Sequence, residues 1–159
     1  MTTPFRHSIA LGYFILFALP GCGESPPQDA LDFEDNEQCI LMNAEPIPPH
    51  SSDPHEGVKN VYACNITEQA LIDLTADPNP VTYPEGTLII KESRREHQDF
   101  AWLLATARKI NGAWQWKEYK RNFEDEKFLS ILASEDVCTS CHKDARKDFI
   151  WVEYEGAFP

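Results

Sequence analysis

The hydrophobic pattern changes its period several times along the chain. Val58, Val61 and Tyr62 predict a short strand over 58–63. Asn65 and Glu68 have capping-box spacing. They predict a short helix running through Leu74, with Ile66, Ala70, Leu71 and Leu74 on one face. Residues 76–84 carry Pro78, Pro80 and Pro84 and read as a loop. Thr-Leu-Ile-Ile-Lys-Glu at 87–92 predicts a strand rich in β-branched residues. Segments 100–110 and 113–120 flank Asn111-Gly112, the strongest two-residue hairpin signal, and Trp114 and Trp116 share a face of the second arm. A helical turn over 127–133, a helix over 135–146 and a closing strand over 149–154 complete the pattern. The expected class is α+β: a mainly antiparallel β-sheet with short helices.

The N-terminus is different. Residues 1–21 carry one charged side chain, Arg6, and 9–19 are apolar or small. That is the n-region and h-region of an export signal. The run ends Leu19-Pro20-Gly21-Cys22, which resembles a bacterial lipobox. The resemblance implies cleavage before Cys22 and a lipid on its thiol; an ordinary signal peptide is the alternative. Gly23 after the cysteine implies the outer membrane over the inner, facing the periplasm. Residues 22–36 are acidic and Pro-rich and read as a tether, leaving 37–159 as the domain. The net charge of −12 argues against nucleic acid as a partner, since phosphate binding needs a basic face.

Four cysteines remain once Cys22 is assigned to lipid. Cys138-Thr139-Ser140-Cys141-His142 is a C-x-x-C-H, the c-type haem attachment pattern. Two thiols must each add to a haem vinyl, so they must lie about one helical turn apart. Positions 138, 141 and 142 share a helix face, and the imidazole of His142 then supplies the iron's proximal bond. The alternatives are a thioredoxin-type redox pair, which wants a βαβ unit, and half a zinc site, which wants a second ligand pair. In an oxidising compartment Cys39 and Cys64 are either a disulfide or two buried thiols.

Several segments together resemble the cytochrome P-460 family, which includes the cytochromes c′-beta. They are Ser52-Asp53-Pro54-His55-Glu56-Gly57, Val61-Tyr62-Ala63-Cys64-Asn65 and Tyr83-Pro84-Glu85-Gly86-Thr87-Leu88-Ile89-Ile90-Lys91-Glu92. Gly112-Ala113-Trp114, the C-x-x-C-H with Lys143, and Lys147-Asp148-Phe149-Ile150-Trp151 follow. The resemblance spans roughly residues 50–155. It implies an antiparallel β fold, a homodimer and one haem c with an open distal face. It also implies either hydroxylamine oxidation, with a lysine joined to the haem edge, or binding of nitric oxide or carbon monoxide without that join. The lysine position falls on Lys91, and a distal arginine position on Lys59. Read without the family, Lys91 shares a strand face with Thr87 and Ile89. An ammonium buried there is costly unless paired or consumed by chemistry; an edge strand in water or a haem propionate partner are its bland readings. A solvated strand end is the bland reading for Lys59.

An electron-transfer haem usually has two strong protein ligands. Met42 reads better as core, and His50, His55 and His97 as surface or loop residues. The expectation is therefore five-coordinate iron on His142. It would bind nitric oxide, or oxidise hydroxylamine with electrons passed to a partner cytochrome. The alternatives are a six-coordinate electron carrier and a domain without haem. No distal carboxylate is identifiable.

Overall fold

The computed structural model describes residues 39–79, 81–131 and 134–156. The expected signal peptide, the lipidation residue Cys22 and the tether lie outside the described residues. The described chain forms one antiparallel sheet of six strands in simple sequential order. The strands are β1 (Ile40–Leu41), β2 (Val58–Cys64), β3 (Leu88–Arg94), β4 (Leu103–Ile110), β5 (Ala113–Lys120) and β6 (Leu129–Ile131). Two short helices accompany them, α1 (Glu68–Ala76) and α2 (Glu135–His142). The α+β class and the place of the Cys138–Cys141 pair on the last helix are as expected.

The Asn111-Gly112 turn joins β4 to β5 with φ of 53° and 77°, the left-handed pair that a two-residue hairpin requires. Glu85 accepts the backbone N–H groups of Asn111 and Gly112 at 2.5 and 3.1 Å. Gly57 has φ 95°, and a Cβ there would meet the Arg94 carbonyl oxygen at 2.1 Å. No side chain fits, so this glycine lets the 50–57 loop close over the end of β3.

Four local expectations need correction. Thr67, not Asn65, caps α1, accepting the Ala70 N–H at 3.2 Å; Asn65 takes φ 59° and turns the chain out of β2. Residues 129–131 are strand β6, not a helical turn, because they complete the open edge of β5. Helix α2 stops at His142 rather than continuing to 146. Residues 149–154 form no strand, because Asp148 and Phe149 both take left-handed φ, 45° and 69°, which breaks extended backbone.

Both faces of the sheet are partly covered. On one, Val61, Ala63, Ile89, Ala107 and Trp114 pack with Leu71 and Leu74 of α1 and with Ile150 and Tyr154. On the other, Leu88, Ile90, Leu104, Tyr119 and Phe128 cluster. Cys39 and Cys64 are disulfide-bonded. The bridge closes a loop of sequence separation 25, and constraining such a loop in the unfolded chain stabilises by about 3–4 kcal/mol.

Candidate functional site

Strand register decides which side chains meet. Val61 lies opposite Lys91, Ala63 opposite Ile89, Lys91 opposite Ala105, Ile89 opposite Ala107, Ala105 opposite Glu118 and Ala107 opposite Trp116. Residues directly opposite share a face, and alternation adds Lys59 to it. The result is a floor across four strands. Ala105 and Ala107 at its centre are too small to fill the space above them. Helix α2 and the chain after it form the roof. Between floor and roof lies a cavity of about 540 Å³, within the roughly 300–1,000 Å³ range of small-molecule sites.

One end of the cavity is apolar. Cys138, Cys141 and His142 line it with Ile89, Ala107 and Trp116. Both cysteines are free thiols. Ser134 caps α2, accepting the Val137 N–H, and Glu135 and Asp136 occupy its first turn, where negative charge suits the helix dipole. The helix thus presents 138, 141 and 142 to the cavity together. The His142 ring lies 4.4 Å from that of Trp116. Its Nδ1 donates to the Phe149 carbonyl oxygen at 2.7 Å. A bond at Nδ1 fixes the tautomer and leaves the Nε2 lone pair free for a ligand. Burial holds the His142 pKa below the ordinary value, against the opposing Phe149 hydrogen bond, with the Lys91 charge adding to the depression. Burial thus disfavours the charged imidazolium.

The other end is ionic. Lys59, read either as a distal residue or as a solvated strand end, is buried, with its side chain 1% exposed, so the solvated reading fails. Its Nζ lies 2.9 Å from Asp53 Oδ2. Lys91 sits on interior strand β3, so the edge-strand reading fails. Its Nζ is 3.1 Å from His55 Nδ1 and 3.6 Å from Asp53 Oδ2. His55, expected in a surface or loop context, is buried. Its Nε2 is 2.9 Å from Glu118 Oε1, and its Nδ1 also lies 3.1 Å from Asp53 Oδ1. These contacts restrict the proton positions. When Lys91 donates to Nδ1, the ring proton sits on Nε2 and faces Glu118. When Nδ1 carries a proton, that proton faces Asp53 and the Lys91 ammonium must turn away.

Burial pushes the Asp53 pKa up, but the Lys59 hydrogen bond, the His55 N–H and the Lys91 charge outweigh it and hold it well below the carboxylate range. Lys91 is lowered by burial, with Asp53 opposing. Asp53 and Glu118 are the carboxylates that sequence reasoning missed. His55 and Glu118 are 63 positions apart, and only the sheet register brings them together.

The remaining residues separate from the site. Met42 is fully buried in the core, as expected. His97 is exposed beside Glu96. His50 reaches the cavity, with its Nδ1 2.8 Å from Ser52 Oγ. The Cys39–Cys64 disulfide lies away from the cavity lining. Burial, then the Glu118 charge, raise the Cys138 pKa, opposite to the depressed thiol that a redox pair needs. Among the described residues no three His, Cys, Asp or Glu side chains converge as a metal-ion cluster, and no helix is long and apolar enough to cross a membrane.

No protein-family model matches this chain, and no curated protein matches it. These findings overturn the resemblance to the cytochrome P-460 family. The segments that carried it have a local explanation. Pro84-Glu85-Gly86-Thr87 is a turn in which the Thr87 N–H donates to the Pro84 carbonyl and Gly86 takes φ 84°. Gly112-Ala113-Trp114 is the start of a hairpin arm. Such pieces recur wherever antiparallel strands are joined, and they specify turns rather than descent.

Proposed function

We propose that this chain is an exported c-type cytochrome, lipid-anchored through Cys22, which would hold one haem at Cys138, Cys141 and His142 and bind a small ligand at its iron. One observation carries the reading: both thiols of the C-x-x-C-H and its imidazole open on a single cavity between the sheet and α2. The residues there suit a flat, largely apolar group with an ionic edge. Ala105 and Ala107 leave the middle of the floor low, while Val61, Ile89 and Trp116 give apolar walls. When bound, haem supplies an iron centre that takes small ligands and changes oxidation state.

The chain's own residues divide the work. Cys138 and Cys141 would hold the group by thioethers, each thiol adding across one vinyl. His142, neutral and oriented by the Phe149 carbonyl, offers Nε2. Binding of nitric oxide, or of carbon monoxide as its analogue, needs a vacant second position on iron. Three facts favour vacancy: Met42 is committed to the core, His97 is remote, and both ring nitrogens of His55 are engaged. Oxidation of hydroxylamine is the enzymatic form of the reading, with electrons leaving to a redox partner cytochrome. It requires proton acceptors beside the ligand, and His55 and Glu118 face the cavity for that role, with Asp53 holding the Lys59 and Lys91 charges beside them. Lys91 faces it too, as a pocket amine or as a group joined to the haem edge.

The test is the absorbance spectrum of the ferrous, haem-loaded protein with and without nitric oxide. A high-spin spectrum that shifts on adding nitric oxide is expected. A sharp low-spin α band without added ligand would replace this reading with the six-coordinate electron carrier, and His50 would be the ligand to mutate. A strongly red-shifted Soret band that disappears in Lys91→Leu would assign the lysine–haem join.

A further inference from the structure

The bond that orients His142 is built from outside the cavity. The acceptor is the backbone carbonyl of Phe149, in a turn where Asp148 and Phe149 both take left-handed φ. Two consecutive non-glycine residues in that region are costly and persist only where the surroundings hold them. Here the hold is Asp148. Lys109, on β4, donates from Nζ to Asp148 Oδ1 at 2.9 Å and Oδ2 at 2.7 Å. Both side chains are nearly sealed from water, 5% and 6% exposed. The Tyr83 N–H donates to Asp148 Oδ2 at 2.9 Å. Trp114 on β5 donates from Nε1 to the Asp148 backbone carbonyl at 2.7 Å. Three separate parts of the sheet and its loops therefore fix one residue, and the next carbonyl along the chain receives the imidazole proton.

A buried ion pair is a poor way to gain stability, since apolar residues of similar volume do as well or better. This pair also lies behind the imidazole rather than in the cavity. We infer that Asp148, clamped by Lys109, is a positioning residue for His142: it holds the 148–149 turn so that the Phe149 carbonyl takes the Nδ1 proton. The clamp sets both ring orientation and donor strength, because an accepting partner at one nitrogen raises the basicity of the other. Its consequence at iron rests on the haem reading; its consequence for the ring tautomer does not.

The experiment uses the full-length exported protein, as wild type and as Asp148→Asn, Lys109→Met, the double variant and Phe149→Gly. Asparagine tolerates left-handed φ, and the double variant leaves no orphaned buried charge, so at least one clamp variant is expected to fold. In haem-loaded protein the readouts are the iron–imidazole stretching frequency of the ferrous form and the midpoint potential. The clamp variants are expected to lower the frequency and raise the potential, as a less basic imidazole does. Phe149→Gly keeps the carbonyl and is expected to leave both unchanged. Wild-type values in the folded double variant would overturn the inference. If the purified protein carries no haem, the haem reading fails separately. Ring-nitrogen NMR of His142 on the same material then decides: loss of the sole Nδ1–H tautomer in the double variant supports the clamp, and its retention refutes it.

Discussion

The two ends of the cavity stand on the same strands but are held in different ways. At the His142 end the functional group is neutral, packed on Trp116 and oriented by a backbone carbonyl, and the nearest ion pair, Lys109–Asp148, lies behind it. At the His55 end Asp53, Lys59, Lys91 and Glu118 face the cavity and one another directly. The first arrangement fixes geometry and feels the ionic groups only through their charges. The second has two proton arrangements on His55, which differ in whether Lys91 or Asp53 is the partner of Nδ1. A site built this way can hold one group rigidly while handling protons beside whatever that group binds.

Removing the two ends one at a time is expected to give the largest effects. His142→Ala removes the imidazole that would bind iron and is expected to leave little correctly ligated haem, read as haem content per chain and as loss of the wild-type ferrous spectrum. Glu118→Gln is expected to keep haem content and change only ligand behaviour. Equal losses in both would mean that the ends are not functionally distinct.

Next in size is Lys109→Met, which strands the Asp148 carboxylate in a dry site. A loss of about 3–5 kcal/mol in a urea melt is expected, against near-neutral stability for the double variant with Asp148→Asn. Ala107→Leu raises the floor beneath the apolar end. It should cost about 1–3 kcal/mol by overpacking and reduce haem uptake by more than that stability loss explains; unchanged uptake would place the haem elsewhere.

The smallest effect is the most specific to the ionic end. Folding lowers the Asp53 pKa, so its stabilisation is complete above the unfolded value of about 3.9 and is lost as pH falls toward the native one. Asp53→Asn is expected to cost about 1–3 kcal/mol at neutral pH and to flatten stability against pH below about 4. A parallel curve for the variant would show that the carboxylate is not held in the way described.

Sequence legibility follows the range of the interactions. The hairpin around Asn111-Gly112 was readable because two adjacent residues dictate its backbone. The C-x-x-C-H was readable because its spacing fits one helix turn, and Lys91 because an ammonium on an apolar strand is conspicuous. The Asp53, His55 and Glu118 constellation was not, since it depends on the register of β2 through β5 and on a loop pinned by Gly57. The segment after α2 misled for a related reason. Its Phe-Ile-Trp-Val run has strand composition, but the Lys109–Asp148 pair, formed between residues 39 positions apart, holds it in a turn. The P-460 resemblance failed on short motifs that describe turns and strand starts.

Covalent haem attachment is decided by mass analysis of the peptide spanning Cys138 to His142, taken from full-length protein exported alongside a cytochrome c maturation system. That peptide is expected to carry the mass of one haem, and to lose it when both cysteines are changed to alanine. An unmodified peptide from correctly exported, folded protein would contradict it.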